Sequence, residues 1–566
     1  MKIIKKIMML FVVLTVSSCN LLDITPQDFA SPSNFYKNQE EAHMALTGVY
    51  TTLRDVYSDN YSLQVASSDD LGYYDRDPIT LGEMPVLNNM TSTSNDIVYN
   101  LWGNLYSGIS NANLFLEQIH KADMDESVKM TYVSEVKFLR AYYHFLLAQM
   151  FGNVPYRVGS FKDIYQQNMP GTDMTEIMLD VTKEIEESLP YILDIDDKGF
   201  EIGRVSKSAA QGLLSRIYLK LAGWPSNLGK PMYEKALYWS NEVIKSGKHK
   251  LNPDYAQIFI NLASDKSELK ESIFEVEMKG NRLDGHEATG RIGNTIGIYN
   301  PDMSAESLGY CYGFISVTLN LWDLFNDLDN DQMAESYFKE GNIGAMPSEK
   351  NHPDIRRDWS IAPYSFGSQS VKGYARYKGE KYENKDGKEI TQARTAYITR
   401  NAGKYRREYE VVTPRNKNHT PINVPVLRYS DVLLMVAEAS NEVNDGPTAE
   451  ALEAMKAVRG RALGSYDKVD YASLNYDTFK QLVKDERARE LCFEFQRKYD
   501  LIRWDDYGAE MRKVVQYVTS DTRWDKSKAY AETNAKPVTV SKRHWWLPMP
   551  ARELSQNRAL EQNPLW

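Results

Sequence analysis

Cysteine is scarce in this chain. The three that occur among 566 residues, Cys19, Cys311 and Cys492, are too few and too far apart for a disulfide framework, so stability has to come from a packed core. Long apolar runs are scarce too: no segment has the roughly 18 consecutive apolar residues of a membrane-spanning helix. Positive charge is not in excess, with 67 Lys and Arg against 77 Asp and Glu. That balance excludes the broad basic surface of a nucleic-acid binder. Catalytic signatures are also missing. The eight histidines lie far apart, and no H-E-x-x-H, C-x-x-C, G-x-S-x-G or phosphate loop occurs. Asp327, Asp329 and Asp331 imitate the first ligands of a calcium loop, but Gln332 and Phe338 stand where that loop needs Gly and Glu. No metal or cofactor is expected. A glycoside hydrolase stays open as a lesser alternative, because its carboxylate pair is defined by separation in space.

What is present begins with Lys2, Lys5 and Lys6, followed by an apolar stretch from Ile7 to Val16 and then by Ser17-Ser18-Cys19. A basic head, a short apolar segment and small residues at a cleavage point make an export signal over residues 1–18. An ordinary secretory signal would share these features; the cysteine at its end resembles the lipobox of bacterial lipoproteins. Cys19 is therefore the expected lipid attachment site, and lipid the expected link to a membrane. Loss of residues 1–18 removes three lysines and no acid, so the net charge of −10 becomes −13. Residues 19–34, with Pro26 and Pro32, have the composition of a tether.

From about 35 to 250 apolar residues recur at three- and four-residue spacing. Val133, Val136, Leu139, Tyr143, Leu146 and Met150 mark one face of a long helix that Gly152 and Pro155 end. Similar segments run from Ala209 to Leu221 and from Tyr233 to Ile244. Small residues within these faces, Ala141, Ala148, Ala209 and Ala210, let helices approach closely, as in tetratricopeptide packing, although no strict 34-residue period exists. Between about 250 and 425 the composition turns to Gly, Asn, Asp, Pro and Tyr with short strand-like runs such as Ser272 to Met278. Helical segments return at Tyr429–Val443, Ala449–Ala462 and Phe479–Trp504. The expected fold is mainly α, about four helix pairs supporting a loop-rich lobe with short strands, in a single domain from 35 to 566.

The order of several segments resembles the SusD/RagB family. They are Asn100-Leu-Trp-Gly-Asn-Leu-Tyr106 with Asn111 and Asn113, Glu135-Val-Lys-Phe-Leu-Arg-Ala-Tyr-Tyr143, Phe151-Gly-Asn-Val-Pro155, and Lys207 to Tyr218. The C-terminal half adds Arg428 to Ala439, Glu486 to Leu491, Arg497 to Trp504, Leu547-Pro-Met-Pro550 and Asn563-Pro564. The resemblance implies a lipid-anchored outer-membrane protein facing the cell exterior. It also implies a nutrient ligand, most often a glycan, and a TonB-dependent SusC-like barrel as partner. Peptide uptake on the same fold is the alternative. Arg140, Glu438, Arg487 and Arg503 sit among apolar helix positions and are expected to pair across helix contacts.

Tyrosine, at 37 residues against 18 Phe, has a flat apolar face with a polar edge, suited to wet recognition surfaces. Two loop stretches combine it with Asp, Asn and Arg. The first supplies Asp70, Tyr73, Tyr74 and Arg76, and the second supplies Tyr299, Tyr310 and Tyr312. These residues, with Trp102 from the matched helix segment, are the expected ligand contacts.

Overall fold

The computed structural model describes residues 35–566, apart from 59, 75–91, 161–166, 305–306, 327–353, 363, 367–373, 379–380, 385–388, 391–399 and 521–540. Cys19, the export signal, the tether, Arg76 and the acidic triplet at 327–331 lie outside the described residues. Helices come first: α1 (Gln39–Tyr57), α2 (Asn60–Ala66), then after strand β1 (Gly72–Tyr74) α3 (Asp96–Gln118), α4 (Glu126–Phe151), α5 (Met174–Ser188), α6 (Lys207–Ala222), α7 (Lys230–Lys245) and α8 (Tyr255–Ala263). Local chemistry sets their ends. Side-chain oxygens of Asn95, Asp125, Asp173 and Ser206 accept from the first free N–H groups of α3, α4, α5 and α6. Gly152, at φ 76°, closes α4.

The helices pack as neighbours along the chain: α1 on α3, α3 on α4, α4 on α5, α5 on α6 and α6 on α7. Close approach needs small residues. A Cβ on Gly108 of α3 would come within 2.6 Å of the Thr52 methyl on α1 and 2.8 Å of the Tyr143 ring on α4, so glycine leaves the room that these two side chains fill. Ala141, Ala148, Ala209 and Ala210 are all fully buried, in line with the close packing expected of them.

The chain then enters the lobe. Strand β2 (Ser272–Val276) is followed by a short helix α9 (Ile292–Thr295), β3 (Ile315–Val317), α10 (Leu319–Asn326), α11 (Arg357–Ser360) and an antiparallel meander of β4 (Tyr364–Phe366), β5 (Tyr374–Lys378), β6 (Lys381–Asn384) and β7 (Glu389–Ile390). Strand β8 (Val424–Arg428) returns to pair antiparallel with β2, from Ser272 opposite Arg428 to Val276 opposite Val424. Entrance and exit of the lobe are thereby held side by side. After β8 the helices resume with α12 (Tyr429–Asn444), α13 (Ala449–Leu463), α14 (Tyr476–Leu491), α15 (Arg497–Arg503), α16 (Tyr507–Ser520) and α17 (Ala551–Gln556). Helix α12 packs on α7 and also carries α13 and α14, so the helical array continues across the lobe. The architecture is mainly helical with few short strands.

The sequence pattern predicts one helix over Phe479–Trp504, and the structure breaks it between α14 and α15. Phe493 and Phe495 both adopt positive φ, 61° and 64°, which no helix tolerates. The break frees backbone carbonyls for the lobe: Glu490 O accepts from Lys404 Nζ at 2.9 Å and Phe493 O from Tyr405 Oη at 3.0 Å. Phe495 stacks on Tyr405, with the ring centroids 6.3 Å apart.

Charge is buried at this junction. Arg428 pairs with Glu271, Glu490 and Glu494, Arg356 with Asp354, Glu486 and Glu490, and Arg461 with Glu271 and Glu490. These groups come from α13, α14, β8, the residues just before α11, the residue before β2 and the α14–α15 turn, so one network ties the lobe to the helices. The family-matched residues Arg140, Glu438, Arg487 and Arg503 likewise pair between helices. Arg140 engages Glu184, Arg487 engages Asp431 at 2.7 Å, and Arg503 engages Glu438.

Candidate functional site

The two tyrosine-bearing stretches lie about 240 positions apart in sequence and meet through an antiparallel pair, with Tyr73 opposite Ser316 and Tyr74 opposite Ile315. Within the first stretch the side chains turn inward. Asp70 is fully buried and receives Arg497 Nε at 2.8 Å and Nη2 at 2.9 Å, with Asn320 Nδ2 at 2.7 Å. Asp69 Oδ1 accepts from the N–H groups of Leu71 and Gly72; burial and the neighbouring Asp70 push its carboxyl up to about 8. Tyr73 and Tyr74 are 6% and 1% exposed. Trp102 is also interior, edge-on to Phe151 at 5.1 Å and tilted against Tyr106 at 4.9 Å. Asp70, Tyr73, Tyr74 and Trp102 are therefore placed as packing and pairing groups, away from a surface ligand. The physical reason is the fold: Arg497 and β3 fill the space that a free loop would leave open.

The second stretch is different. From Tyr74 in the interior, an aromatic series runs outward: Tyr74 to Phe314 at 5.3 Å, Phe314 stacked on Tyr312 at 4.8 Å, and Tyr312 edge-on to Tyr310 at 4.9 Å. Tyr310 and Tyr312 are partly exposed, and Tyr299 is 39% exposed. Gly313, at φ 57°, is where the turn brings Tyr299 close: a Cβ there would lie 2.9 Å from that of Tyr299. Asn300 and Cys311 form an isolated bridge that holds the two limbs of the turn together, with mutual N–H to O distances of 3.0 Å.

Sequence reading missed the support of this site, which comes from residues 291–294 and 407–419. Arg407 donates to Tyr310 O at 2.5 Å and Asn294 Nδ2 donates to Tyr310 O at 3.3 Å and to Lys417 O at 2.6 Å. Lys417 Nζ lies 5.0 Å from the centre of the Tyr310 ring, and Tyr312 Oη donates to Asn418 Oδ1 at 3.4 Å. A basic residue beside an aromatic pair is a recognisable signal, but its proximity depends on a loop about 100 residues further on.

A separate groove of about 270 Å³ lies between α1, residues 201–204 and β2, lined by His43, Tyr50, Arg54, Arg204, Glu275 and Glu277 among others. None of the expected contact residues lines it. Burial, with Glu277 nearby, pushes the Glu275 carboxyl from 4.5 up to about 8. A carboxyl raised in this way favours the folded state fully only below its unfolded pKa. That contribution is lost as pH rises from about 4.5 to about 8. Glu275→Gln is therefore expected to melt about 5 °C or more above the parent at about pH 9, and at the same temperature at about pH 4, in thermal melts followed by circular dichroism.

A family model described as the SusD family matches residues 270–566, and one described as starch-binding and associating with the outer membrane matches residues 26–219. SusD-like protein P25 of Formosa agariphila is 25% identical over 99% of this chain and 98% of its own length. A crystal structure of a SusD homolog from Bacteroides thetaiotaomicron superposes with a TM-score of 0.79 at 26% identity, covering 94% of this chain and 98% of that one. Surface glycan-binding protein A from Bacteroides thetaiotaomicron, in complex with laminarihexaose, shares the fold with a TM-score of 0.65 at 19% identity, over 93% of this chain and all of its own.

Proposed function

This chain belongs to the SusD family, and from that premise we propose that it binds oligosaccharide or polysaccharide at the cell surface and passes it to a TonB-dependent SusC-like barrel. In this reading lipid on Cys19 holds the body to the outer membrane. The binding surface is the exposed end of the aromatic series, Tyr299, Tyr310 and Tyr312. Arg76, beyond the end of β1, is a further proposed contact from the sequence pattern. The observation that carries the reading is that series: two partly exposed tyrosines, Tyr312 stacked on the buried Phe314 and Tyr310 edge-on to Tyr312. Sugar rings present C–H faces to such planes and hydroxyls to the amide and cationic groups around them. The glycan-binding neighbour with laminarihexaose and the starch-binding family description support a carbohydrate ligand. The protein acts as a binder, not as a hydrolase.

Native gel electrophoresis in a panel of polysaccharides, run beside assays for released reducing ends, tests this. Retardation by at least one glycan without hydrolysis is the expected result. Retention of peptides alone would instead support the peptide alternative, and release of sugar would reinstate the hydrolase.

A further inference from the structure

We propose that the glycan held at Tyr310 and Tyr312 is an anionic one, whose carboxylate or sulfate groups are met by Lys417 beside Tyr310 and by Arg282 and Arg291 on the adjoining segments. This rests on the glycan reading above and narrows it to a ligand class.

Four loop segments of the lobe meet near the tyrosines: residues 280–286, 289–291, 407 and 414–420. Residues 289–291 bridge to Thr420, with Gly290 N and O exchanging hydrogen bonds with Thr420 at 3.0 and 2.9 Å and Thr289 Oγ1 lying 3.2 Å from His419 Nδ1. Asn281 Nδ2 donates to Pro414 O at 2.9 Å, bringing the 280–286 turn against the 414–419 loop. Arg407 reaches both Tyr310 O and Lys417 O. Lys417 and Arg282 are thus carried on adjoining loops, both are exposed, and neither forms an ion pair among the described residues.

Two nearby acids are already engaged. Glu410 takes Nε and Nη2 of Arg407 at 2.7 and 3.0 Å, and Asp284 Oδ1 accepts from the N–H groups of Asn281 and His286. The field at the centre of the cluster has the sign this leaves. His419 is held below the usual imidazole range by burial and then by Arg282, Arg291 and Arg407. The whole chain carries a net charge of −10, so general attraction cannot draw a polyanion to it. A local surplus of cations against an aromatic face is what would select one, the charges fixing the acid groups and the rings fixing the sugar plane.

The test uses the full mature chain without lipid, in affinity gels containing polygalacturonate, a sulfated galactan, the same galactan after desulfation, and laminarin. Retardation by polygalacturonate or by the sulfated galactan, weakening several-fold as sodium chloride is raised to about 0.5 M, is expected. Lys417→Gln combined with Arg282→Gln should weaken that retention about tenfold or more while leaving the melting temperature unchanged, and Tyr310→Ala should weaken it as well. Polygalacturonate against sulfated galactan then distinguishes a uronate from a sulfate ligand. Equal retention by neutral polymers that the charge variants leave unchanged would overturn the anionic assignment and leave glycan binding standing. Polyanion retention that Tyr310→Ala leaves intact would be surface adsorption, and would also overturn it. Failure to bind any glycan across a wider panel, with peptides retained, would remove the glycan reading itself.

Discussion

Glu490→Leu is expected to be among the most destabilising single substitutions in the protein, costing about 3–5 kcal/mol. The Glu490 carboxylate is fully buried, and its two oxygens accept from Arg428 at 3.0 Å, Arg461 at 2.5 Å and Arg356 at 2.9 Å. Leucine fills the volume and leaves three guanidinium groups short of an acceptor in an interior where each remains charged. Because these arginines come from β8, α13 and the residue before α11, the loss falls on the junction between lobe and helices. Glu490→Gln keeps an acceptor oxygen and should cost less. Urea denaturation followed by tryptophan fluorescence measures both variants, and a cost below about 1 kcal/mol for the leucine variant would show that the network relaxes around the gap. The acid side carries a second signature. Arg461, Arg428 and Arg356 hold the Glu490 carboxyl well below its usual value against the cost of burial. A depressed carboxyl contributes stability above the unfolded pKa of about 4.3 that is lost as pH falls through the folded pKa. The parent should therefore lose stability below about pH 4 more steeply than Glu490→Leu.

The same network shows what could be learned from sequence and what could not. Helix α4 was legible from its apolar period and its closing glycine, because both signals are local. The helix-pair architecture followed from several such segments with small residues in their faces. The partners of Glu490 lie 29 to 134 positions away in sequence, and no period connects them. Nor does local pattern mark the break at Phe493 and Phe495, where Glu490 O and Phe493 O accept from the lobe donors Lys404 and Tyr405 and the Phe495 ring stacks on Tyr405. The candidate site divides along the same line. Tyr310, Tyr312 and Tyr299 stand out because tyrosine in a Gly-rich turn has no helix or regular strand to pack into. Asp70, Tyr73 and Tyr74 have the same composition, but Arg497, 427 positions on, and the pairing with β3 bury them. Lys417 and Arg282 do not stand out in the sequence, since an exposed cation is common and only the fold sets Lys417 beside the Tyr310 ring.

This division separates folding from binding in the tyrosine variants. Tyr310→Ala and Tyr312→Ala remove partly exposed rings from the end of the aromatic series. They are expected to weaken glycan retention by about 2 kcal/mol each, roughly thirtyfold, with little change in melting temperature. Tyr74→Ala removes a ring that is 1% exposed and tilted against Phe314, and is expected to cost about 3–5 kcal/mol of stability through the cavity it leaves. Its effect on binding should be indirect, through the support that Phe314 gives Tyr312. Affinity gels and thermal melts on the three variants make the comparison. Full retention by Tyr310→Ala and Tyr312→Ala would remove the ligand surface from this turn. An unchanged melt for Tyr74→Ala would mean that the ring is not part of the core. The two measurements fail independently, because stacking on an exposed ring draws on the ligand, whereas burial of Tyr74 draws on β3 and the lobe around it.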